Sequence, residues 1–383
     1  MSAAPLGSVK NLPHLARLES LSIRGMKLGL AAIDALCDRL GRPERRVPSV
    51  LIGGTNGKGS TAAMLSSIAR TAGVRAGLYT SPHLIHVTER IRLEDADVAP
   101  EELDAVLARV FRAADQAPEI PVTYFEAMTA AAFDVFAQRQ LDLAILEVGL
   151  GGRFDATNVA PARLSAVTSI SLDHVEELGS TVSAVAGEKA GIFRSGRPAL
   201  AGLSDPDALH VLREAAGAIG ADFHDVAEEC TLETAAPSVY ETRFSLRTPV
   251  REYALTTPLP GRHQAANAVV AVRAAELLSP EVALSSPNAI VSGLADVRWP
   301  GRLERFAVAG RTVLLDGCHN PEGAAALQRF LRESGIGPET WLVFGAMADK
   351  DIEAISGLLF PGVAGVTLVA PDSPRAAKPE EIA

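Results

Sequence analysis

The chain has 383 residues, 48% of them apolar, and a net charge of −10. This length allows two or three domains with at least one large core, and the acidic balance argues against a nucleic-acid partner. Three widely spaced cysteines, Cys37, Cys230 and Cys318, indicate a reducing compartment and argue against a disulfide framework or a zinc site. No signal-peptide core and no run of ~20 apolar residues is visible, so we expect a cytoplasmic enzyme without a membrane partner.

Apolar spacing predicts a helix over residues 13–40, with one face formed by Leu15, Leu18, Leu21, Leu28, Ile33 and Leu36. The apolar run at residues 50–52 then predicts a strand, which leads through a glycine-rich loop, Gly54–Ser60, into a second helix.

The glycine-rich loop has the features of a phosphate-binding loop. Its three glycines let backbone N–H groups converge on an anion, and the helix N-terminus adds partial positive charge. Lys58 can reach terminal phosphates, and Ser60 offers a hydroxyl to Mg²⁺. The loop departs from the standard Walker A spacing, because Gly59 stands where Ser or Thr would follow the lysine. A turn without a ligand is the alternative, disfavoured because lysine, hydroxyl and glycines occur together.

Strands and helices alternate over the next part of the chain. We predict strands at 76–80, 141–146, 164–170 and 198–201, with helices at 100–114 and 123–139. This alternation predicts an α/β fold with a doubly wound, mainly parallel sheet. Residues 222–256 differ: short antiparallel strands are expected at 231–233, 240–246 and 252–255, followed by a helix over 262–278.

A second αβ pattern follows a probable hinge at residues 298–302, where proline and glycine interrupt the sequence. It comprises strands at 311–316, 340–345 and 363–370 and helices at 322–334 and 351–359. We place the domain boundary near residue 297. The expected architecture is a P-loop domain at 1–297 and a smaller, Rossmann-like α/β domain at 298–383, thin enough to suggest that it is truncated.

Ligands of open parallel sheets lie beyond the carboxyl ends of the strands. Glu147 ends one predicted strand, where it suits Mg²⁺ or equally a capping or ion-pair role. His174 follows the next predicted strand as a metal ligand or a packed residue. In the second αβ pattern, Asp316 either accepts from a ribose hydroxyl or forms an Asx turn, and His319 is a candidate for a phosphate or sugar. Asn267, on a helix face, either reads a base or is solvated.

Lysine is scarce: only six of the 36 basic residues are Lys, at positions 10, 27, 58, 189, 350 and 378. An ammonium can lose its proton and react, which guanidinium does not readily do, so lysine is expected where arginine cannot serve. Lys189 lies in the segment Gly187–Ile192, and on its own it is more simply a surface salt-bridge residue.

Taken in order, these segments resemble the folylpolyglutamate synthase and dihydrofolate synthase family, within the Mur ligase superfamily of ATP-dependent amide ligases. Matching stretches run from Met26 to Gly362. The most specific are Gly54–Ser60, Glu147–Asn158, Ser171–His174 with Leu178-Gly179, Glu188–Ile192 and Asp316–Pro321. Three further segments, Ser81–Leu84, Thr88–Ile91 and Thr123–Glu126, favour the folate branch over the wall-precursor branch.

The resemblance implies that ATP phosphorylates a carboxylate and that glutamate then attacks the acyl phosphate. It implies a nucleotide site formed by Thr55, Asn56, Gly57, Lys58, Gly59, Ser60, Thr61, Asn267, Arg302, Asp316 and His319. One or two Mg²⁺ ions are implied, bound by Ser60, Glu147, His174 and, if it is carbamylated, Lys189. The implied catalytic residues are Lys58, His174, Lys189 and Arg302, and the implied folate-side residues are Ser81, Pro82, His83, Phe125, Arg153 and Asp155.

A monomer that closes about residues 298–302 is the family expectation. The partners expected are small molecules: ATP, L-glutamate, and dihydropteroate or tetrahydrofolate. Three alternatives stay open at this stage: another ligase of the superfamily, a nucleotide-dependent switch, and an inactive binding module or fragment. The folate-type segments argue against the first. None of the six lysines lies in a guanine-reading motif, which argues against the second.

Overall fold

The computed structural model describes residues 12–24, 29–202, 205–234 and 238–382. Their contacts separate into two compact units. The first comprises the described residues up to Glu229 together with Val270–Gly293, and the second comprises Cys230–Val269 and the described residues from Leu294 onward. The expected domain boundary near residue 297 concerns sequence domains and stays a prediction.

The first unit is organised by one eight-stranded sheet with the strand order β4-β3-β2-β5-β1-β6-β7-β8. The six strands from β2 to β8 in this order are parallel, and β3 and the edge strand β4 are antiparallel to their neighbours. The strands are β1 Ser49–Gly53, β2 Ala76–Tyr79, β3 Ile91–Leu93, β4 Ala96–Asp97, β5 Leu143–Glu147, β6 Leu164–Val167, β7 Pro198–Ala201 and β8 Asp222–Asp225. The expected α/β class with a mainly parallel sheet is confirmed.

Every residue of the central strands β1, β5 and β6 is buried. Because successive side chains of a strand point to opposite faces, both faces of the sheet centre are covered. The helices of this part of the chain are α1 Pro13–Ser20, α2 Ala31–Arg39, α3 Lys58–Thr71, α4 Pro100–Asp115, α5 Tyr124–Gln138, α6 Val175–Leu178, α7 Val182–Ala190, α8 Pro206–Ile219 and α9 Val226–Glu229.

The single helix expected over residues 13–40 is wrong. The structure has α1, a 3₁₀ turn at Leu21–Arg24, and α2. Gly29 has φ +137°, which no helix residue adopts, so it separates α1 from α2. The predicted face is otherwise confirmed, since the buried residues include Leu15, Leu18, Leu21, Ile33 and Leu36. Leu28 and the residues Met26 and Lys27 lie outside the described residues.

The second unit contains three small sheets. An antiparallel sheet joins β9 Thr231–Thr234, β10 Thr242–Arg247 and β11 Glu252–Thr257, as predicted, in the order β11-β10-β9. Two helices, α10 Arg262–Leu278 and α11 Pro287–Ala295, each have residues in both units. An antiparallel pair, β12 Glu304–Val308 and β13 Arg311–Leu315, and a parallel pair, β14 Trp341–Phe344 and β15 Gly365–Leu368, follow.

Two helices, α12 Pro321–Glu333 and α13 Ile352–Leu359, share a small apolar cluster with Phe344 of β14, and a short α14 Pro379–Ile382 ends the described chain. Leu327 of α12 packs against two apolar clusters, one that includes Phe344 of β14 and one that includes Leu303. No residue of β12 or β13 is fully buried, and Trp341 and Val343 are exposed on one face of the β14–β15 pair. Within the described residues, no helix is long and apolar enough to cross a membrane.

Candidate active site

The loop Gly54–Ser60 joins β1 to α3 at the carboxyl end of the sheet. Gly57 has φ +82° and is the N-cap of α3, which starts with the bond from Thr61 N to Gly57 O at 2.9 Å. Only glycine adopts this φ without strain, so the chain can turn sharply into the helix here. The first-turn N–H groups of α3 have no partner inside the helix, and this end of a helix attracts anions.

Two lysine side chains meet at the loop. Lys58 Nζ donates to Gly54 O at 3.0 Å and to Thr55 O at 2.9 Å. Lys189, at the end of α7, donates from Nζ to the same Gly54 O at 2.9 Å, although it lies 135 positions away in the sequence. Lys189 is buried, not a surface residue. Two amines thus meet at one carbonyl oxygen, and the Lys58 ammonium places positive charge beside the loop, as a polyphosphate site requires.

The segment that follows β6, residues Thr168–Ser171, holds the loop from its other side; we call it the β6 strap. Thr55 N donates to Ser169 O at 2.8 Å, and Thr55 Oγ1 both donates to Ser171 O and accepts from Ser171 N. Asn56 N donates to Ser169 Oγ at 3.1 Å. The N–H groups of Thr55 and Asn56 therefore bind the strap and do not face an anion.

The predicted metal ligands come from three neighbouring strand ends. Glu147 ends β5, directly opposite Ile52 of β1, and its Oε2 accepts from Ser81 N at 3.0 Å. His174 follows the strap with φ +52°, its imidazole within 3.9 Å of carboxylate oxygens of Asp173 and Glu177. Ser60 is buried in the first turn of α3. Because β5 and β6 flank β1, Ser60, Glu147 and His174 all follow the carboxyl ends of neighbouring strands, at the same end of the sheet.

A carboxylate, a hydroxyl and an imidazole are a reasonable donor set for Mg²⁺ with water completing the shell. Within the described ranges, no group of three or more His, Cys, Asp or Glu side chains is arranged to hold a metal by itself. The predicted set contains only two such residues besides Ser60. A cation there would thus need the serine hydroxyl and further oxygens from water or phosphate.

The loop after β5 packs against the end of α7, where Lys189 lies. A Cβ on Gly152 would come within 2.8 Å of Glu188 O and 2.9 Å of Lys189 O, so the two backbones touch. Arg153, a predicted substrate residue, donates to Gly187 O at 3.0 Å and lies 3.4 Å from Glu188 Oε1. This contact sets the position of Lys189 relative to the loop.

Asp155 binds its own loop. One carboxylate oxygen accepts from the N–H groups of Gly149 and Leu150, both at 2.9 Å, and the other accepts from N and Oγ1 of Thr157. Burial raises the pKa of the Asp155 carboxyl, although these hydrogen bonds oppose the shift. Its role toward a substrate stays a prediction, whereas its role in shaping the loop follows from the contacts.

The segment after β2 carries Ser81, Pro82 and His83. His83 Nδ1 accepts from Arg90 Nε at 2.9 Å, so the imidazole proton is on Nε2. Burial, together with the Arg90 charge, lowers the pKa of His83. The Arg90 guanidinium lies 5.1 Å from the ring centre of Tyr124.

The contacts of Glu89, next to this segment, escaped the sequence reasoning. Glu89 accepts from the N–H groups of Leu84, Ile85 and His86, which fixes the turn after His83. Burial opposes ionisation of Glu89, but these three bonds outweigh it and lower its pKa. The ring of Phe125, a predicted substrate residue, lies 6.1 Å from that of Tyr79 and close to Gly149. Residues 81–90 and Phe125 thus form one region beside Glu147.

In the second unit, Asp316 holds two backbone segments together. Its Oδ1 accepts from Cys318 N at 2.9 Å, which forms an Asx turn, and its Oδ2 accepts from Leu303 N at 2.9 Å. The Asx-turn interpretation is therefore confirmed for Asp316, but the cap of α12 is Asn320, which accepts from Gly323 N. His319 Nδ1 donates to Gly317 O at 2.9 Å.

Arg302 lies next to these residues, and His263 is a missed member of the group. Arg302 donates to Gly301 O at 3.0 Å, and a Cβ on Gly317 would come within 2.7 Å of its guanidinium. Burial lowers the pKa of His263; the Asp316 charge opposes this shift and the Arg302 charge adds to it. Asn267, one turn along α10 from His263, donates to Gln264 Oε1 at 3.1 Å.

The fold and these sites define an ATP-dependent ligase of the Mur type. The Mur ligase middle domain matches residues 52–275, and the Mur ligase, glutamate ligase domain matches residues 301–383. The chain belongs to the Mur ligase superfamily, in its folylpolyglutamate synthase and dihydrofolate synthase family.

Similar proteins and solved structures carry the names of this family. The dihydrofolate synthase/folylpolyglutamate synthase of Bacillus subtilis is 37% identical over 366 residues, 94% of this chain and 84% of that protein. The structure of Mycobacterium tuberculosis folylpolyglutamate synthase complexed with ADP and AMPPCP has a TM-score of 0.87 at 34% identity, over 97% of this chain and 85% of that one. E. coli FolC in complex with DHPP and ADP has a TM-score of 0.86 at 33% identity, over 96% and 86%.

Proposed function

We propose that the protein is an ATP-dependent ligase that joins L-glutamate to the carboxylate of a folate-type acceptor through an acyl phosphate. The observation that carries the proposal is the convergence of Lys58, Lys189 and the α3 N-terminus on one phosphate loop. This loop occurs in a chain whose relatives are named for this reaction.

In the proposed reaction, an acceptor carboxylate oxygen attacks the γ-phosphorus of ATP, and ADP leaves. The amino group of glutamate then attacks the acyl carbon, a tetrahedral intermediate collapses, and inorganic phosphate leaves with the acyl oxygen. Lys58 and the amides from Gly57 onward hold the phosphates and neutralise charge that develops during transfer. Mg²⁺, where bound, would neutralise phosphate charge, with Ser60, Glu147 and His174 as its protein ligands.

We assign the remaining roles from the family pattern. Arg302 neutralises charge on the transferred phosphoryl group, Asn267 contacts adenine, and Asp316 and His319 hold ribose and phosphates. Closure about residues 298–302 precedes chemistry. The folate side involves the predicted residues Ser81, Pro82, His83, Phe125, Arg153 and Asp155. We further propose a cytoplasmic monomer.

Lys189 is proposed to carry a carbamate that supplies an oxygen ligand for a second Mg²⁺. Carbamylation needs a neutral amine that can take up CO₂, and arginine cannot replace lysine in this chemistry. Support comes from the position of Lys189: its amine is buried and lies on the same carbonyl oxygen as that of Lys58.

The function is tested by measuring phosphate release from ATP in the presence of Mg²⁺ and glutamate. One assay contains dihydropteroate as the acceptor, and a separate assay contains tetrahydrofolate. Turnover with either acceptor is expected, and which acceptor reacts tells whether the enzyme is monofunctional or bifunctional. If neither acceptor gives amide product while ATP still binds, another ligase activity must replace the folate assignment.

The carbamate is tested separately with Lys189→Ala. We expect this variant to lose activity and short carboxylates such as formate to restore part of it. Lys378→Ala is the matched control, because Lys378 is exposed and lies outside the proposed site. Wild-type turnover in Lys189→Ala would remove the carbamate role while leaving the ligase assignment intact.

A further inference from the structure

The β6 strap orients the first three peptide groups of the phosphate loop. In a trans peptide the C=O and N–H groups point in opposite directions, so fixing one fixes the other. Thr55 N–H points to Ser169 O, and the carbonyl of the same peptide, Gly54 O, points to the amines of Lys58 and Lys189. The next peptide repeats this: Asn56 N–H points to the strap and Thr55 O to Lys58.

The third peptide is reversed. Asn56 O, not an N–H group, points to the strap, where it accepts from Thr168 Oγ1 at 2.6 Å and from Ser169 Oγ at 3.3 Å. The N–H of Gly57 belongs to this same peptide and therefore points away from the strap. It points to the side on which the two lysine amines lie. The reversal adds a backbone donor to the face of the loop on which the Lys58 ammonium lies.

We infer that Thr168 is a positioning residue for nucleotide binding: its hydroxyl holds the Asn56–Gly57 peptide reversed, so that Gly57 N–H is aimed at the bound polyphosphate. This inference rests on the proposed use of ATP. Thr168 is suited to the task because it is buried and immobilised directly after β6, with its own N–H bonded to Gly53 O at 2.9 Å.

Packing around Thr168 leaves little freedom to the hydroxyl. A Cβ on Gly54 would lie 2.0 Å from Thr168 Oγ1, and a Cβ on Gly202 would lie 2.0 Å from Thr168 O. The position of Thr168 therefore requires glycine at both residue 54 and residue 202. The hydroxyl has one proton and two nearby acceptors, Asn56 O at 2.6 Å and Gly53 O at 3.2 Å. It donates this proton to Asn56 O, because that contact is the shorter one.

The test compares Thr168→Val with Thr168→Ser by calorimetric titration with ADP. Valine keeps the shape of threonine and removes the donor, whereas serine keeps the donor and removes a methyl group. We expect Thr168→Val to bind ADP about tenfold more weakly, the size of one lost charge-assisted contact, and Thr168→Ser to stay within about twofold of wild type. In turnover, KM for ATP should rise more than kcat falls, because the amide holds phosphate in the ground state as well.

Ser169→Ala is a second variant in case valine prevents folding. It removes the longer bond to Asn56 O together with the bond from Asn56 N, and it should weaken ADP binding about two- to threefold, with binding of the folate acceptor unchanged. Equal ADP affinity in wild type, Thr168→Val and Ser169→Ala would overturn the inference. Equal losses in Thr168→Val and Thr168→Ser would also overturn it, since shape and not the hydroxyl would then matter. A wild-type protein that does not bind ADP would instead reject the proposed function itself.

Discussion

The sheets of the two units are covered differently. In the first unit, the central strands are buried on both faces, and the loops at their ends are joined to each other by backbone hydrogen bonds. In the second unit, α12 and α13 pack against one face of the β14–β15 pair, and no residue of β12 or β13 is fully buried. Large apolar side chains remain exposed on these strands: Phe306, Val308, Val313, Leu315, Trp341 and Val343.

This difference indicates where each unit obtains its precision. A site residue of the first unit is held by backbone contacts that the whole sheet supports. Such a residue can therefore be displaced only if the core also moves. Asp316 and Arg302 of the second unit are held by local turns, and their small core buries far fewer apolar groups. We expect the second unit to be the less stable region and to open first.

The largest expected effect comes from the same substitution in a strand of each unit. Leu146 in β5 is fully buried and Leu315 in β13 is 49% exposed. Leu146→Ala should lower the free energy of unfolding by about 2–5 kcal/mol, because it leaves a cavity in a sheet covered on both faces. Leu315→Ala should change it by less than about 0.5 kcal/mol. Urea denaturation followed by circular dichroism measures both, and equal losses would abolish the contrast between the sheets.

A second pair of variants tests the backbone contact between the loop after β5 and α7. Gly152→Ala places a methyl group against the carbonyls of Glu188 and Lys189, where neither backbone can yield, and should cost about 1–3 kcal/mol of stability along with most of the activity. Gly187→Ala is the control: its new methyl group meets nothing within 4 Å, and alanine favours helix by up to about 1 kcal/mol. Thermal unfolding and phosphate release are the measurements. If Gly152→Ala were as stable as Gly187→Ala, the loop after β5 and α7 would have room for an added methyl group, and the tight contact would be disproved.

A glycine of the second unit should behave in the opposite way. Gly317→Ala crowds only the end of the Arg302 side chain, which can move away, so thermal stability should be unchanged. Turnover should fall about tenfold if Arg302 stabilises the transferred phosphoryl group, because small displacements of such a group are costly. Arg302→Lys, which keeps the charge but replaces the forked guanidinium with a single ammonium, serves as the comparison. Loss of stability without loss of turnover would place Gly317 among the structural residues.

The sequence predicted the elements whose signals are local. Short apolar runs identified β1, β5, β6 and β7, and the glycine loop before α3 was confirmed. It missed β3 and β4, which have only three and two residues, and β8, which carries charges. Thr168 was also missed, because its partner Asn56 is 112 positions away and no local pattern marks such a contact. Asp155 is a different case. Its place in a family motif marked it as a site residue, but its hydrogen bonds to its own loop could be seen only in the structure.

The smallest expected effect concerns a titrating residue of the first unit. The pKa of His83 is lowered by burial and by Arg90, so the folded protein binds a proton at this site less readily than the unfolded chain. The stability that His83 contributes is therefore complete above its ordinary value of about 6.5 and is lost as the pH falls through the lower, folded value. Protonation would also break the bond from Arg90 Nε to His83 Nδ1, since the nitrogen could no longer accept.

We expect His83→Gln, whose amide oxygen can still accept from Arg90, to remove this dependence between pH 7.5 and 5. The change should be about 0.5 kcal/mol or less, because the side chain is only half-buried and solvent screens its charge. Urea denaturation at each pH measures it, and His210→Gln is the control, since His210 is an exposed helix residue far from Arg90 in sequence. If His83→Gln kept the wild-type slope and His210→Gln removed it, the acid sensitivity would lie in α8 and not beside the site.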